Sequence, residues 1–398
     1  MCGFAGFAGF EESLWEERYL WGSLGKRMGK RLSHRGPDEF GTHVSKNCVL
    51  AHARLSVIDP LFGKQPMSCV FGDFTYTIAY NGELYNTPEL RRRLEHLGHR
   101  FETDSDTEVL LKTYVEYGDE APELLNGIFS FVIDDSKEKR LFLCRDRFGV
   151  KPLFYTFSAG RLVFGSEIKA LFEYPGVKPT LDKQGICEVF GLGPARTPGC
   201  GVFRGIHELK PGCMGFFDYS GFREEPYYSL QSHSCEDDYE TAVKRVRDLL
   251  YDIAKRQLVS DVPVCTFLSG GLDSSVITAL AAKEWSAKGR TLSTYSFDFQ
   301  GNSEFFKPTA FQPSADEPWA QLVSKFLHTE HTTLTCSNDE LFSNLYDSVI
   351  AKDLPGMADV DSSLLHFCKQ VKKSHVVALC GECADEIFGG YPWFRNPE

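Results

Sequence analysis

The stretch Leu268-Ser269-Gly270-Gly271-Leu272-Asp273-Ser274-Ser275 decides how the second half of the chain folds. Residues 262–268 are apolar and β-prone and predict a strand, and the apolar residues after the stretch predict a helix. A strand, a Gly-Gly turn and a helix N-terminus form an anion-binding site, because the glycines allow close backbone approach and the first-turn N–H groups face the ligand. The ordinary alternative is a glycine-rich turn with no ligand.

The side chains of this turn narrow the class of ligand. Ser269, Ser274 and Ser275 add hydroxyl donors, whereas the carboxylate of Asp273 repels phosphate unless a metal ion lies between them. The turn therefore predicts a nucleotide polyphosphate held together with Mg²⁺. The sequence contains no G-x-x-x-x-G-K-[ST] string, which excludes the usual phosphate loop of kinases and GTPases.

Strands and helices alternate after the turn. Further strands are predicted at 292–299, 332–334 and 376–379, with helices between them, which indicates a doubly wound parallel sheet with ligands at the carboxyl ends of its strands. Glu382 and Asp385 follow the last strand, so we expect them in the same crevice as the turn. Cys380 and Cys383 match half of a metal or redox motif, but no second pair stands at a suitable spacing.

The first half of the chain begins with a candidate nucleophile. If Met1 is removed, Cys2 becomes the N-terminal residue, and its own α-amino group, with a pKa near ~8, can act as general base for its thiol. The alternative is that Cys2 is a small buried apolar side chain, which is common for a free cysteine.

Polar residues beside predicted strands form the next candidates. Arg54 lies between apolar neighbours, so it is either a buried guanidinium that needs a carboxylate or a surface residue on an edge strand. Asn81-Gly82 follows a strand, so it is either a hairpin turn or a pair of donors for an oxyanion. Asp106 follows the helix cap Ser105, and the helix dipole alone explains its position.

The short strands of residues 128–167 predict an α+β domain with two sheets.

The composition excludes several classes of protein. A length of 398 residues predicts two or three domains, and the net charge of -12 argues against non-specific binding to nucleic acid. No apolar run approaches the ~20 residues needed to span a membrane, and the N-terminus lacks the basic region of a signal peptide. The 13 cysteines fit reduced thiols, so we predict a cytoplasmic protein.

Taken together, these motifs resemble those of bacterial-type glutamine-hydrolysing asparagine synthetases. The resemblance covers essentially the whole chain and is carried, in order, by Cys2-Gly3, residues 34–38, Arg54-Leu55-Ser56, Asn81-Gly82-Glu83, Ser105-Asp106, residues 269–275 and residues 382–391. It implies an α+β domain followed by an α/β domain. The first is a class II glutamine amidotransferase domain of the N-terminal nucleophile fold, an α/β/β/α sandwich over residues 2–218. A linker over 219–238 leads to a doubly wound parallel-sheet ATP-pyrophosphatase domain over 239–398.

The resemblance also implies roles for the residues of the first domain. Cys2 attacks the amide of glutamine and forms a glutamyl thioester. Asn81 and Gly82 form the oxyanion hole and contact glutamine. Arg54 holds the α-carboxylate of glutamine, and Glu83 and Asp106 meet its α-ammonium group.

In the second domain, the resemblance implies that ATP and Mg²⁺ activate aspartate as β-aspartyl-AMP, which ammonia attacks after travelling through an internal tunnel. Glu382 is the implied catalytic residue, and Asp273 and Asp385 are the implied metal ligands. The family also forms homodimers. The implied ATP-binding residues are Phe267, Ser269, Gly270, Gly271, Asp273, Ser274, Ser275, Phe299, Cys380 and Gly381.

The sequence departs from the family pattern in two places. Residues 380–385 read Cys-Gly-Glu-Cys-Ala-Asp where many members have Ser-Gly-Glu-Gly-Ser-Asp, although both acids are kept. Family members also continue beyond residue 398, so we expect a C-terminally truncated chain with an incomplete synthetase domain. Two alternatives stay open: a related amidotransferase that forms another amide, on a sugar acid or peptide carboxylate or in a β-lactam, and a glutaminase or dimerising subunit without synthetase activity.

Overall fold

The computed structural model describes residues 2–309 and 314–394. The chain divides into two compact units, Met1–His233 with Lys352–Gly356, and Ser234–Ala351 with Met357–Glu398. Residues 221–226, which the sequence prediction assigns to the linker, form a strand of the first unit. In the described part of the chain, no helix combines the length and apolar character needed to cross a membrane.

The first unit consists of antiparallel strands and short to medium helices. Its strands are β1 (Gly3–Ala8), β2 (Glu39–Val44), β3 (Cys48–Arg54), β4 (Met67–Phe71), β5 (Phe74–Leu84), β6 (Gly127–Asp135), β7 (Arg140–Arg145), β8 (Phe154–Ser158), β9 (Arg161–Gly165), β10 (Ile206–Glu208), β11 (Cys213–Asp218) and β12 (Gly221–Pro226). Its helices are α1 (Arg18–Lys30), α2 (Thr87–His96), α3 (Asp106–Tyr117), α4 (Ala121–Leu124), α5 (Ile168–Leu171) and α6 (Lys183–Cys187).

These strands form two sheets that pack face to face. The strand order is β10-β8-β9-β1-β3-β2 in one sheet and β12-β11-β7-β6-β5-β4 in the other. Strand β1 lies inside its sheet between β3 and β9, and Gly3 pairs with Ala53. The end of β3 is therefore beside the start of the chain.

Three apolar clusters hold the layers of this unit together. Phe7, Leu24 and Val49 pack α1 against the first sheet. A second cluster lies between the two sheets, and a third packs α2 and α3 against the second sheet. The layers follow the order helix, sheet, sheet, helix, which confirms the predicted α/β/β/α sandwich.

Residues 55–58, which follow β3, are irregular. The structure corrects one local prediction in this unit. The predicted turn at Asn81-Gly82 is absent from the described structure, because β5 continues through both residues, which pair with Ser130 and Phe129 of β6. The pairing partner, which is distant in sequence, overrides the local turn preference of Asn-Gly.

The second unit alternates helices and strands. Its strands are β13 (Val264–Phe267), β14 (Ser293–Phe299), β15 (Glu330–Cys336) and β16 (Val377–Leu379). Its helices are α7 (Tyr239–Gln257), α8 (Leu272–Ala287), α9 (Asn302–Phe305), α10 (Glu317–Leu327), α11 (Asn338–Lys352), α12 (Ala358–Val371) and α13 (Ala384–Phe388).

These four strands form a parallel sheet in the order β15-β14-β13-β16. The order runs in one direction from β13 to β15, and β16 adds on the opposite side of β13. The topology therefore switches between β13 and β16. In open parallel sheets, ligands bind at such a switch, outside the carboxyl ends of the strands.

The second unit buries less apolar surface in clusters than the first. A single cluster, which includes Leu258, Val264 and Trp285, joins α7, β13 and α8 among the described residues. Apolar side chains of α7 stay partly exposed, with 38% of Val243 and 42% of Ile253 accessible. Because burial of a large apolar side chain contributes about 1.5–3 kcal/mol, this unit has the smaller hydrophobic term.

Candidate active sites

The candidate nucleophile Cys2 lies directly before β1, beside the end of β3. The Leu55 N–H points at its Sγ from 3.4 Å, and the thiol lies 3.5 Å from the Leu55 carbonyl oxygen. Burial raises the pKa of the Cys2 thiol, although the Leu55 N–H and the charge of Arg54 oppose this effect. The thiol is therefore protonated at neutral pH, and its attack on a carbonyl requires a base.

Strand β5, which belongs to the facing sheet, carries the candidate oxyanion donors. Asn81 is 1% exposed, and its Nδ2 has no hydrogen-bond partner within residues 2–309 and 314–394. A buried amide donor without a partner is costly, so such a group indicates a place for a ligand oxygen. Gly82 is required by close packing, since a Cβ at this position would lie 2.3 Å from the Ile128 carbonyl oxygen.

Two acids lie close enough to perturb each other's charge. Burial raises the pKa of Glu83 to about 7; the charge of Lys151 opposes this effect, and that of Asp106 adds to it. Asp106 is buried, and its Oδ2 accepts hydrogen bonds from the Tyr80 hydroxyl at 2.9 Å and the Leu84 N–H at 3.2 Å. Burial also raises the pKa of Asp106. Two acids that are costly to ionise suit an ammonium ligand, which would lower that cost.

Arg54 is buried and pairs with a carboxylate, as one of its two interpretations from the sequence predicts. Its Nη1 donates to Glu39 Oε2 at 3.2 Å and to the Pro60 carbonyl at 3.1 Å. Its Nη2 donates to the carbonyls of Ile58 and Asp59 at 3.2 and 2.6 Å. The guanidinium thus holds the loop that follows β3. The predicted contact with a glutamine carboxylate stays a prediction, and it would require Arg54 to share these donors.

Sequence reasoning missed Lys151, a buried lysine near this site. Lys151 is 6% exposed. Burial lowers its pKa, which the charge of Glu83 opposes, and the charges of Arg35 and Cys2 also act on it. The one feature of the sequence that could have indicated Lys151 is its position in the turn after Gly149, immediately before Pro152.

A chain of polar contacts holds the backbone of Cys2. Arg35 Nε donates to the Cys2 carbonyl and its Nη1 to Glu167 Oε1, both at 2.8 Å. Lys169 Nζ donates to the second oxygen of Glu167 and lies 3.2 Å from Asp353 Oδ1. The Lys169 N–H also donates to Asp353 Oδ2 at 3.0 Å. Asp353 lies in the connection between α11 and α12, and no sequence motif marks its pairing with Lys169.

The central carboxylate of this network is strongly ionised. Burial raises the pKa of Glu167, but the hydrogen bond with His34 and the charges of Arg35 and Lys169 outweigh burial and lower it to about 2. Asp353 has φ +64°, a left-handed conformation that is strained for an aspartate. The bonds to Lys169 are the observed contacts that support this conformation.

Replacement of Lys169 by methionine is expected to lower the free energy of unfolding by about 3–5 kcal/mol, because it leaves Glu167 and Asp353 buried without their shared cation. The free energy of unfolding of the first unit can be measured by denaturant titration, by calorimetry or by hydrogen exchange. Lys137→Met is the matched control, since Lys137 pairs with Glu138 on the surface and should change stability by less than about 1 kcal/mol. Equal losses in the two variants would contradict the role of the network.

The second unit contains a pocket of ≈ 380 Å³ at the switch between β13 and β16. It collects most of the predicted ATP-binding residues together with Glu382. Its lining consists of Phe267, Leu268, Ser269, Gly271, Asp273, Ser274, Tyr295, Ser296, Phe297, Asp316, Leu364, Cys380, Gly381 and Glu382. Predicted residues from two distant stretches of the chain therefore line one pocket.

The turn after β13 has the conformation that its glycines predict. Gly270 has φ +86°, and a Cβ there would lie 2.5 Å from the Ala320 nitrogen. The hydroxyls of Ser269 and Ser274 are 3.0 Å apart. Ser275 Oγ is buried and has no hydrogen-bond partner within the residues that the structure describes. These hydroxyls and the first turn of α8 form a cradle of donors for an anion.

The loop after β16 contacts this cradle. A Cβ at Gly381 would lie 2.8 Å from the backbone of Asp273 and Ser274, so only glycine fits this crossing. Burial raises the pKa of Asp273, and the negative charge of Asp385 raises it further. The two acids predicted as metal ligands are therefore near enough to repel each other.

One predicted aromatic residue lies elsewhere. Phe299 is 46% exposed and is not among the residues that line the pocket; it lies beside Phe367, with ring centroids 6.1 Å apart. Phe297, two residues earlier on β14, lines the pocket and packs edge-on against Phe267 at 5.0 Å. The sequence pattern alone could not distinguish these two positions, because both lie on one face of the strand.

Comparison with known proteins agrees with this division. Residues 1–228 match the glutamine amidotransferase domain family, and residues 245–398 match the asparagine synthase family. The chain is similar to asparagine synthetase [glutamine-hydrolyzing] 3 of Bacillus subtilis, with 48% identity over 100% of this chain and 64% of that protein. It is also similar to asparagine synthetase [glutamine-hydrolyzing] 1 of the same organism, with 36% identity over 100% of this chain and 60% of that protein.

Among solved structures, a glutamine phosphoribosylpyrophosphate amidotransferase from B. subtilis aligns with a TM-score of 0.42 and 19% identity, over 73% of this chain and 64% of that one. The chain spans less than two thirds of the length of both curated relatives. The alignment at 48% identity, which covers 100% of this chain, and the two adjacent domain matches indicate the same order of domains. The chain therefore belongs to the glutamine amidotransferase domain family, and its second half matches the asparagine synthase family.

Proposed function

We propose that the protein is a glutamine-dependent asparagine synthetase. The first unit hydrolyses glutamine to glutamate and ammonia, and the second uses ATP to convert aspartate and that ammonia into asparagine, AMP and pyrophosphate. One observation supports the proposal: a single chain combines a unit that contains the partly buried Cys2 and the unpartnered Asn81 amide with a pocket that gathers Asp273 and Glu382 around a phosphate-type cradle.

In the first half-reaction, the thiol of Cys2 transfers its proton to the α-amino group that removal of Met1 exposes. The sulfur then attacks the amide carbon of glutamine, and the Asn81 amide and Gly82 N–H stabilise the oxyanion. As this intermediate collapses, the α-ammonium group of Cys2 returns the proton to the leaving nitrogen, so that ammonia departs and a glutamyl thioester remains, which water hydrolyses to glutamate. The acids Glu83 and Asp106 hold the α-ammonium group of glutamine.

In the second half-reaction, the β-carboxylate of aspartate attacks the α-phosphorus of ATP and pyrophosphate leaves. Ser269, Ser274 and Ser275 contact the departing phosphates through their hydroxyls. Ammonia then attacks the β-carbonyl carbon of β-aspartyl-AMP and AMP leaves, with Glu382 as the nearby acid–base group. Ammonia is nucleophilic only when unprotonated, so transfer shielded from water protects it.

Asp273 and Asp385 fit a divalent cation. The negative charge of Asp385 adds to the cost of ionising Asp273, and a cation between the two carboxylates would remove that cost. Mg²⁺, held by these two carboxylates, would neutralise charge on the departing pyrophosphate.

We also propose that the protein acts in the cytoplasm and as a homodimer. Each of the 13 cysteines lies in the described part of the chain and is a free thiol, which supports a reducing compartment. The homodimer rests on the family resemblance and stays a prediction.

The decisive experiment measures glutamate formation from glutamine together with aspartate-dependent exchange between ATP and pyrophosphate, on the same preparation. Both activities are expected, and ¹⁵N from the glutamine amide should enter asparagine. Exchange with another carboxylic acid but not with aspartate would assign a related amidotransferase. Glutamate formation without any exchange would assign a glutaminase and contradict the synthetase half of the proposal.

The pH dependence of glutamine hydrolysis tests the role of Glu83. Since its pKa is raised to about 7, Glu83 is neutral below that pH and loses its attraction for the ammonium group. We therefore expect kcat/KM, which reports groups of the free enzyme, to fall as the pH decreases through about 7. Glu83→Gln should raise KM by roughly tenfold or more, the cost of a lost charge-assisted hydrogen bond.

The control for this experiment is Glu95→Gln on the exposed side of α2, which should keep both KM and the pH profile. The α-amino group of Cys2 titrates in both proteins, so the difference between the wild-type and Glu83→Gln profiles isolates Glu83. An unchanged acidic limb in Glu83→Gln would show that another group produces it.

A further inference from the structure

A cluster of three potential metal ligands lies on the second unit, outside the pocket described above. Cys336 ends β15, Glu340 lies in the first turn of α11, and His366 lies on α12. One ligand atom from each residue lies within 4.8 Å of the other two, and His366 Nε2 is 3.9 Å from Glu340 Oε1. Three elements that are separate in sequence thus place a thiol, a carboxylate and an imidazole close together.

Neighbouring groups orient two of these side chains. Glu340 Oε2 accepts hydrogen bonds from the Ser337 N–H at 2.9 Å and the Ser337 hydroxyl at 2.8 Å. Its other oxygen, Oε1, faces His366. The His366 ring is 7% exposed and packs edge-on against Phe367. Such supporting contacts are what orient the ligands of protein metal sites.

The ordinary reading explains only part of this arrangement. Ser337 and Glu340 form a helix capping box, and His366 with Glu340 forms a partly exposed ion pair. The buried Cys336 sulfur lies beside both groups and donates a weak hydrogen bond to the Ser337 carbonyl oxygen at 3.4 Å. That contact uses the S–H proton and leaves the lone pairs of the sulfur to bind a cation.

The donor set selects the class of cation. Mg²⁺ and Ca²⁺ prefer oxygen ligands, whereas a thiolate, an imidazole and a carboxylate in a roughly tetrahedral arrangement suit Zn²⁺. We propose that Cys336, Glu340 and His366 bind one Zn²⁺ ion, with a fourth position that the exposed side of Glu340 leaves open to water.

Binding at this site is balanced by release of a proton. The S–H bond of Cys336 breaks, the proton passes to solvent and an S–Zn bond forms, while His366 binds as neutral imidazole. The ion would join the end of β15 to α11 and α12. Its affinity should therefore fall as the pH decreases, because protons compete with the metal for ligand atoms.

Titration of the 398-residue chain with Co²⁺, a spectroscopic probe for Zn²⁺ sites, tests this proposal. We expect one ion per chain, a near-ultraviolet charge-transfer band from thiolate to cobalt, and loss of that band when Zn²⁺ is added. Cys336→Ser should abolish the band, and His366→Gln should lower the affinity by about tenfold or more. Glu340→Gln, on an exposed residue that leaves the buried thiol and imidazole in place, should weaken binding similarly.

Two control variants distinguish this site from the other thiols. Cys265→Ser, which changes a buried cysteine of β13, should keep the band, as should Cys187→Ser on an exposed cysteine. A band that survives Cys336→Ser, or that disappears in the double variant Cys380→Ser/Cys383→Ser, would overturn the proposal. Failure of the wild-type chain to bind Co²⁺ or Zn²⁺ would overturn it as well.

Discussion

Replacement of Cys2 by alanine is expected to lower the rate of glutamine hydrolysis by roughly 10⁴-fold or more, because it removes the atom that attacks the amide carbon. Hydrolysis is measured as glutamate formed from glutamine in the absence of ATP. The change removes one small, partly buried group at the start of β1, so the sandwich should keep its stability. Ammonia-dependent formation of asparagine should persist, since it does not use the thiol.

Cys69→Ala provides the matched control for this prediction. Cys69 is also partly buried, lies in the same unit and, like Cys2, has a thiol pKa that burial raises. The two variants should therefore lose similar packing and differ only in their catalytic activity. Hydrolysis that survives in Cys2→Ala, or that is lost equally in Cys69→Ala, would rule out Cys2 as the nucleophile.

The base for this nucleophile can be tested without changing Cys2. Burial keeps the Cys2 thiol protonated, so the proposed base is the α-amino group that removal of Met1 exposes. An N-terminal extension that is not cleaved should inactivate hydrolysis as Cys2→Ala does, although the thiol is still present. Removal of the extension by a protease that leaves Cys2 first should restore activity.

The sequence predicts the second unit well because its local signals agree with one another. The apolar run, the Gly-Gly turn and the helix after it each indicate the same strand–turn–helix unit, and the structure forms it from β13 through α8. The position of Glu382 follows from the same logic, since the ends of parallel strands meet at one edge of a sheet. Local preference and global topology point the same way here.

Prediction fails where a distant partner decides the local structure. Asn81-Gly82 has the strongest short turn signal, yet pairing with β6 extends it as a strand. The phenylalanines at 297 and 299 share one strand face and both lie beside Phe367, but only Phe297 packs against Phe267 and lines the pocket. Period-two alternation identifies a face but cannot tell which residue on that face reaches a pocket.

Long-range ionic contacts are invisible to motif analysis for the same reason. Lys169 and Asp353 are 184 residues apart, and each alone resembles an ordinary surface charge. Cys336, Glu340 and His366 have no spacing typical of a metal motif. Both groups become recognisable only when the fold brings together side chains that are distant in sequence.

Replacement of Asp273 by asparagine is expected to slow aspartate-dependent exchange between ATP and pyrophosphate by about 100-fold or more. The variant loses one of the two carboxylates proposed to hold Mg²⁺, and stabilisation of transition-state charge by a metal contributes several kcal/mol. The proposed chemistry of the first unit does not involve this residue, so hydrolysis of glutamine should be unchanged. Asp339→Asn, in the first turn of α11, is the control for the substitution.

The stability of the Asp273→Asn variant separates loss of a metal ligand from misfolding. The pKa of Asp273 is raised in the folded chain, so its ionised form is less favourable there than in the unfolded chain at neutral pH. Removal of the charge relieves repulsion from Asp385, and without ligands the variant should be at least as stable as the wild type. We therefore expect a variant that is at least as stable as the wild type but lacks exchange activity, because binding sites often lower the stability of the fold. Normal exchange, or loss of exchange together with loss of stability, would contradict this role for Asp273.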